Sequence, residues 1–215
     1  AEWAAATDRV IARVLAETGR DDIAGIGFSG QMHGASLYSP SRGYVRPSII
    51  WADQRMAREV EEVVALVGAE EHARICGTLP AAGFTAPTLL WLKKHEPQVL
   101  DGDVTLLFPK DAVRLHLGGD ACTDYSDAAG SGMYNVSAKT WAQPIIDGAG
   151  FPGAIFPQVY ESSAQVGETR AMGAEAGAGH FLSAPYFQTL DNPTNQKFVE
   201  NYLKSKYGGG GVTHY

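Results

Sequence analysis

Apolar residues at the start of the chain recur at helical spacing. Trp3, Val10, Ile11, Val14 and Leu15 fall on one face of a 3.6-residue helix, and Gly19 supplies its stop. The pattern then changes to short apolar runs. Ile23-Ala24-Gly25-Ile26-Gly27-Phe28 predicts a short buried strand, Ser29-Gly30-Gln31-Met32-His33-Gly34 a glycine-flanked loop, and Ala35-Ser36-Leu37-Tyr38 a second strand. Ser39-Pro40-Ser41-Arg42-Gly43 has turn composition, and Pro47-Ser48-Ile49-Ile50-Trp51 is a third apolar run.

Helical periodicity returns after Asp53. That residue can cap a helix running from about Gln54 to Leu66, with Val60, Val63, Val64 and Val67 on one face. Residues Pro80 to Thr85 read as a loop, and Pro87 opens a short helix through Leu89, Leu90 and Leu92 to Lys94. Val104-Thr105-Leu106-Leu107-Phe108 predicts a strand, and Lys110 to Leu117 a helix stopped by Gly118-Gly119. Thr123 to Gly130 is small, polar and turn-like, and Met133-Tyr134-Asn135-Val136 predicts one more strand. Strands interleaved with helices define an α/β class.

Composition narrows the function classes. The chain has 215 residues, 45% hydrophobic and 19% charged, with a net charge of -7, and it is long enough to bury a core. Its Lys and Arg form no cluster, so neither nucleic acid nor an anionic membrane is an expected partner. No run approaches the ~20 apolar residues that span a bilayer, and no secretory signal opens the sequence. Cys76 and Cys122 have neither metal nor disulfide spacing. They are expected reduced and buried, as suits a cytoplasmic protein. The abrupt helical start without a Met reads as a fragment boundary.

Three polar groupings are candidates for chemistry. The loop Gly30-Gln31-Met32-His33-Gly34 leaves the end of a predicted strand, where α/β sheets collect ligands. Gln31 and His33 offer hydrogen-bonding groups to a polyol, and the two glycines permit close backbone approach. Equally, His33 can be a satisfied loop histidine and Met32 a core residue. In Trp51-Ala52-Asp53-Gln54-Arg55, a Trp can wall a sugar pocket and Asp53 can bind hydroxyls. Physics alone favours Trp51 as core and Asp53 as helix cap. Asp124 and Asp127, three apart, can bind a metal or cap backbone turns, and the structural role is favoured. His72, His95, His116, His180 and His214 lack ligand spacing.

Taken in order, these segments resemble the FGGY family of carbohydrate kinases. The resemblance runs from Ile23 to Gly34, then through Arg46-Pro47-Ser48-Ile49-Ile50-Trp51-Ala52-Asp53-Gln54-Arg55 and Gly83-Phe84-Thr85-Ala86-Pro87. It continues through Leu90-Trp91-Leu92, His95-Glu96-Pro97, Pro109-Lys110-Asp111, residues Thr123 to Gly130, Glu161-Ser162-Ser163 and Val166-Gly167. It implies a partial actin-like, ribonuclease-H-like kinase N-terminal domain over residues 1–172. It also implies that ATP, with Mg²⁺, phosphorylates a sugar hydroxyl in a cleft between two such domains. Gln31-Met32-His33-Gly34 resembles the branch that converts D-xylulose to xylulose 5-phosphate. On this basis Met32 and His33 contact the sugar, Trp51 lines its pocket, and Gln31 and Asp53 are neighbouring binding residues.

The departures from the family pattern matter as much. The family's opening Asp-x-Gly-Thr strand, the turn bearing its catalytic Asp and the second domain have no counterpart here. This chain is therefore expected to bind neither ATP nor Mg²⁺ by itself and to have no catalytic residue of its own. A Lys usual near Gly83-Phe84 is Thr88. A missing first strand would leave a sheet edge, an association hazard that makes a homodimer an open expectation.

Residues 173–215 resemble a piece of the periplasmic solute-binding proteins of urea and short-chain amide transporters. Gly179-His180-Phe181 and Tyr186-Phe187-Gln188-Thr189-Leu190-Asp191-Asn192-Pro193 carry that resemblance, with residues Asn195 to Tyr207. Asn192 can cap a helix that Pro193 begins, Phe198, Tyr202 and Leu203 face, and Gly208 stops. The alternatives to a kinase fragment are thus an amide- or urea-binding module, or a chimeric scaffold.

Overall fold

The computed structural model describes residues 2–20, 22–23 and 26–160. Contacts divide the chain into two compact units, Ala1–Asp21 with Gly30–Ser162, and Asp22–Ser29 with Ser163–Tyr215. Of the second unit only residues 22–23 and 26–29 are described, so the expected tail helix lies outside the described residues.

The first unit opens with helix α1, Glu2–Thr18. The Gly19 N–H reaches the Leu15 carbonyl at 2.9 Å, and its φ of 63° is the left-handed conformation that glycine closes a helix with. The expected apolar face is only partly covered among the described residues: Trp3, Ile11 and Leu15 are half-buried, and Val10 and Val14 are exposed.

Strands β1 (Ser36–Ser39), β2 (Gly43–Tyr44) and β3 (Thr105–Leu107) form an antiparallel sheet in the order β2-β1-β3. Leu37 pairs with Leu106 and Tyr38 with Thr105. The turn after β1 is held by Ser39, whose hydroxyl donates to Asp103 at 2.5 Å. The third apolar run contributes only a single bridge, Ile49 to Ala35.

Helices α2 (Ala57–Ala65), α3 (Ala69–Cys76) and α4 (Thr85–His95) follow. Val63 from α2, Ile75 and Cys76 from α3, and Leu89 and Leu92 from α4 join Leu37 and Leu106 of the sheet in one buried core. Lys94 of α4 ties to the buried Glu59 of α2 at 3.1 Å. Helix α2 starts three residues later than the expected cap would place it, with Met56 at its N-cap. Asp53 does not cap it: its carboxylate is taken by Arg55. Thr88, where the family pattern has Lys, is buried and donates to the Phe84 carbonyl at 2.9 Å, so the helix itself satisfies its hydroxyl.

Helix α5 (Pro109–His116) begins where β3 ends. Pro109 opens it, and the buried Asp111 carboxylate accepts from the Phe108 N–H at 3.1 Å. Residues 123–130, expected as a turn, are a two-residue strand β4 (Thr123–Asp124) and a short helix α6 (Tyr125–Gly130). Asp124 is its N-cap, accepting from the N–H groups of Ser126 (2.9 Å) and Asp127 (3.1 Å). β5 (Tyr134–Asn135), β6 (Thr140–Trp141), α7 (Gln143–Ala149) and β7 (Val159–Tyr160) complete the described chain.

The strand expected over residues 23–28 does not form among the described residues there, and Ile23 and Ile26 are exposed. A strand needs a neighbour for its N–H and C=O groups, and the described residues supply no ladder partner at this position. Cys76 and Cys122 are free and buried as expected, and burial pushes the Cys76 thiol up to about 11. Among the described residues no helix is long and apolar enough to cross a membrane.

Candidate functional site

The loop at residues 30–34 lies on the first turn of α5. A Cβ on Gly34 would sit 2.7 Å from the Pro109 Cγ, and one on Gly30 3.2 Å from the Lys110 Cβ and backbone nitrogen. Both glycines therefore serve an approach to the protein's own helix, where the sequence suggested an approach to ligand.

His33 occupies the left-handed region, φ 65°, which non-glycine residues adopt at a cost. Three contacts hold it there. Its Nδ1 lies 2.6 Å from the Gly130 carbonyl at the end of α6. Its ring stacks on Phe84, with centroids 3.9 Å apart and planes inclined by 15°. Its own carbonyl accepts from the Thr85 hydroxyl at 3.0 Å. The imidazole remains half-buried. Burial pushes its pKa down, and the Gly130 hydrogen bond only partly offsets that, so the ring is neutral at pH 7.

Behind the loop lies an ionic cluster. Lys110 Nζ stands 2.7 Å from Asp111, 3.1 Å from Asp124 and 2.8 Å from Asp127, with only 11% of its side chain exposed. Arg114 approaches Asp111 at 3.4 Å and donates to the Cys122 carbonyl. Burial disfavours the Lys110 ammonium, but the surrounding carboxylates outweigh it and raise its pKa. Burial also raises Asp127, against the pull of Lys110. The cluster clamps the start of α5 to α6, the two elements between which the His33 loop sits.

The remaining predicted residues fall into two groups. Gln31 is half-buried and Met32 is 58% exposed beside His33 in the loop. Trp51, expected in the core on physical grounds, is 55% exposed. Its backbone is locked all the same: Gly83, at φ 90°, would place a Cβ 2.1 Å from the Trp51 carbonyl oxygen. Trp51 thus joins the segment Gly83-Phe84 that stacks on His33. Asp53 stands apart, its carboxylate paired with Arg55 at 2.8 Å. The hydrogen bond from Arg55 holds its pKa below the usual carboxylate range, and the Arg55 guanidinium in turn lies 5.0 Å from the Trp91 ring centre.

Sequence reading missed Phe84, Thr85, the Gly130 carbonyl and Lys110 as parts of this arrangement. Only the family segments containing them marked them, because each acts on a residue far away in the chain. The donor set does not fit a divalent metal: the three nearby carboxylates converge on Lys110 rather than on an open point. No group of three His, Cys, Asp or Glu suits a metal among the described residues.

The architecture matches solved sugar kinases. It superposes on a xyloylose kinase from Brucella ovis with a TM-score of 0.63 and 34% identity, covering 71% of this chain and 31% of that one. A ligand-bound xylulose kinase from Lactobacillus acidophilus gives 0.63 at 23% identity over 79% of this chain and 36% of that one, which shows the fold alone. Among curated relatives, the xylulose kinase of Escherichia coli (strain K12) is 35% identical over 162 residues, 75% of this chain and 33% of that protein. That of Klebsiella pneumoniae is 35% identical over 175 residues, 81% and 36% respectively.

The fold is that of a partial actin-like sugar-kinase N-terminal domain. Residues 1–180 match the model of the FGGY family of carbohydrate kinases, N-terminal domain, and the chain belongs to that family. It spans about a third of the length of the curated relatives it matches.

Proposed function

We propose that this chain is the sugar-binding half of an ATP-dependent kinase acting on D-xylulose, in the cytoplasm. The observation that carries the proposal is the cradle around His33. A half-exposed imidazole, strained at its backbone and fixed by Phe84, Thr85 and Gly130, presents a hydrogen-bonding edge beside Met32. That pre-organisation suits recognition of a polyol. Similarity to xylulose kinases supports the particular sugar.

Within this reading Met32 and His33 contact the sugar, Trp51 walls its pocket through an exposed indole, and Gln31 is a further binding residue. Asp53 has the weakest place, since Arg55 already occupies its carboxylate. ATP and Mg²⁺ belong to the complete two-domain reaction, in which phosphoryl transfer rests on positioning and charge stabilisation. Residues 1–172 are assigned to the kinase domain and 173–215 to a separate segment. The xylulose kinases among the relatives favour this reading over an amide-binding module or a chimeric scaffold.

Titration calorimetry tests the proposal. D-xylulose should give saturable heat, and glycerol and acetamide should not. Xylulose-dependent ADP formation by the chain alone is expected to be absent. Heat from acetamide with none from D-xylulose would replace the kinase reading with the amide-binding one.

A further inference from the structure

We infer that His33 accepts a hydrogen bond from a ligand hydroxyl through Nε2, because the Gly130 carbonyl fixes its tautomer. The inference rests on the sugar-binding reading and specifies which ligand group faces the ring.

A carbonyl oxygen can only accept. Nδ1 lies 2.6 Å from the Gly130 oxygen, so Nδ1 carries the N–H. A neutral imidazole has one such proton, which leaves a lone pair on Nε2. The ring cannot readily turn over to exchange its nitrogens. Phe84 covers one face at 3.9 Å, and a flip would forfeit the Gly130 bond. The ring makes no other hydrogen bond among the described residues. Burial lowers its pKa, which keeps the neutral form in place at pH 7.

A bare Nε2 discriminates by chemical class. It accepts from an alcohol O–H and is repelled by a carbonyl, an ether or an anionic oxygen, each of which offers only lone pairs. A polyol hydroxyl therefore belongs opposite His33. The carbonyl of a ketose and the phosphate oxygens of a phosphorylated product do not.

Two measurements on the intact chain test this. In proton–nitrogen NMR of the imidazoles at pH 7.5, His33 should show a protonated Nδ1 and an unprotonated Nε2, and saturating D-xylulose should shift the Nε2 signal. In calorimetry, monofluoro analogues of D-xylulose replace one hydroxyl at a time by fluorine, which cannot donate. One analogue should bind at least tenfold more weakly than the parent, and in His33→Ala that difference should vanish. A protonated Nε2, or equal binding of every fluoro analogue, with D-xylulose binding intact, overturns the inference alone. An Nε2 signal unmoved by D-xylulose, with no binding heat, overturns the sugar reading and the inference with it.

Discussion

Gly83 meets the Trp51 carbonyl so closely that no side chain fits: a Cβ would stand 2.1 Å from that oxygen, at φ 90°. Gly83→Ala is expected to cost about 2 kcal/mol or more, read as a lower urea midpoint, and to change Trp fluorescence as Trp51 shifts. The half-buried His33 and the buried His72 set a pH dependence. Burial lowers the pKa of both His33 and His72. Between those lowered values and the unfolded value of about 6.5, the unfolded chain binds protons that the folded chain refuses. Their contribution to stability therefore falls on acidification through that window. Asp127, raised by burial, acts in the opposite direction at lower pH. The melting temperature should drop between pH 7 and pH 5.5, and less steeply in His72→Gln; identical slopes would contradict the assignment. At this scale the sequence was partly legible. His33 stood out by its glycine flanks, whereas nothing local marked Phe84 as its partner. Trp51 has the residue type of a core position, yet its indole is 55% exposed and what is fixed is its backbone, against Gly83.

The junction of α5 and α6 depends on one buried ammonium. Lys110 serves Asp111, Asp124 and Asp127 together, and removing one member of a buried ionic group costs far more than the group contributes. Lys110→Met should destabilise by about 3–5 kcal/mol in urea unfolding. Lys110→Met with Asp127→Asn should recover part of that, since one stranded charge is gone. A loss below ~1 kcal/mol would show that water already screens the cluster. Element prediction succeeded where periodicity and caps agreed. α5 was readable from Lys110 to Leu117 with its glycine stop, and β1 and β3 from their apolar runs. It failed where partners decide. Residues 23–28 have strand composition but no neighbouring ladder among the described residues. α6 is six residues long, too short for a periodic signal, although the capping power of Asp124 was visible. α3 and α7, eight and seven residues long, are likewise too short for a periodic signal.

At the scale of the molecule, residues 1–180 match an FGGY kinase N-terminal domain, and the chain after residue 160 lies outside the described residues. Its class could be inferred from the alternation of elements, and its family from motifs spread between Ile23 and Gly167. The site could not be read whole, because its cohesion comes from contacts between distant segments: His33 with Gly130, Phe84 with His33, and Gly83 with Trp51. These contacts all lie within the first unit, among its described residues.

Thermal unfolding of the chain with D-xylulose, beside His33→Ala, asks whether that loop recognises sugar. At a ligand concentration a hundredfold above the dissociation constant, one site should add about 2.7 kcal/mol of stability, seen as a rise in melting temperature that His33→Ala loses. No rise at saturating sugar, or an equal rise in the variant, would mean that the cradle around His33 is a structural joint and that sugar recognition lies elsewhere.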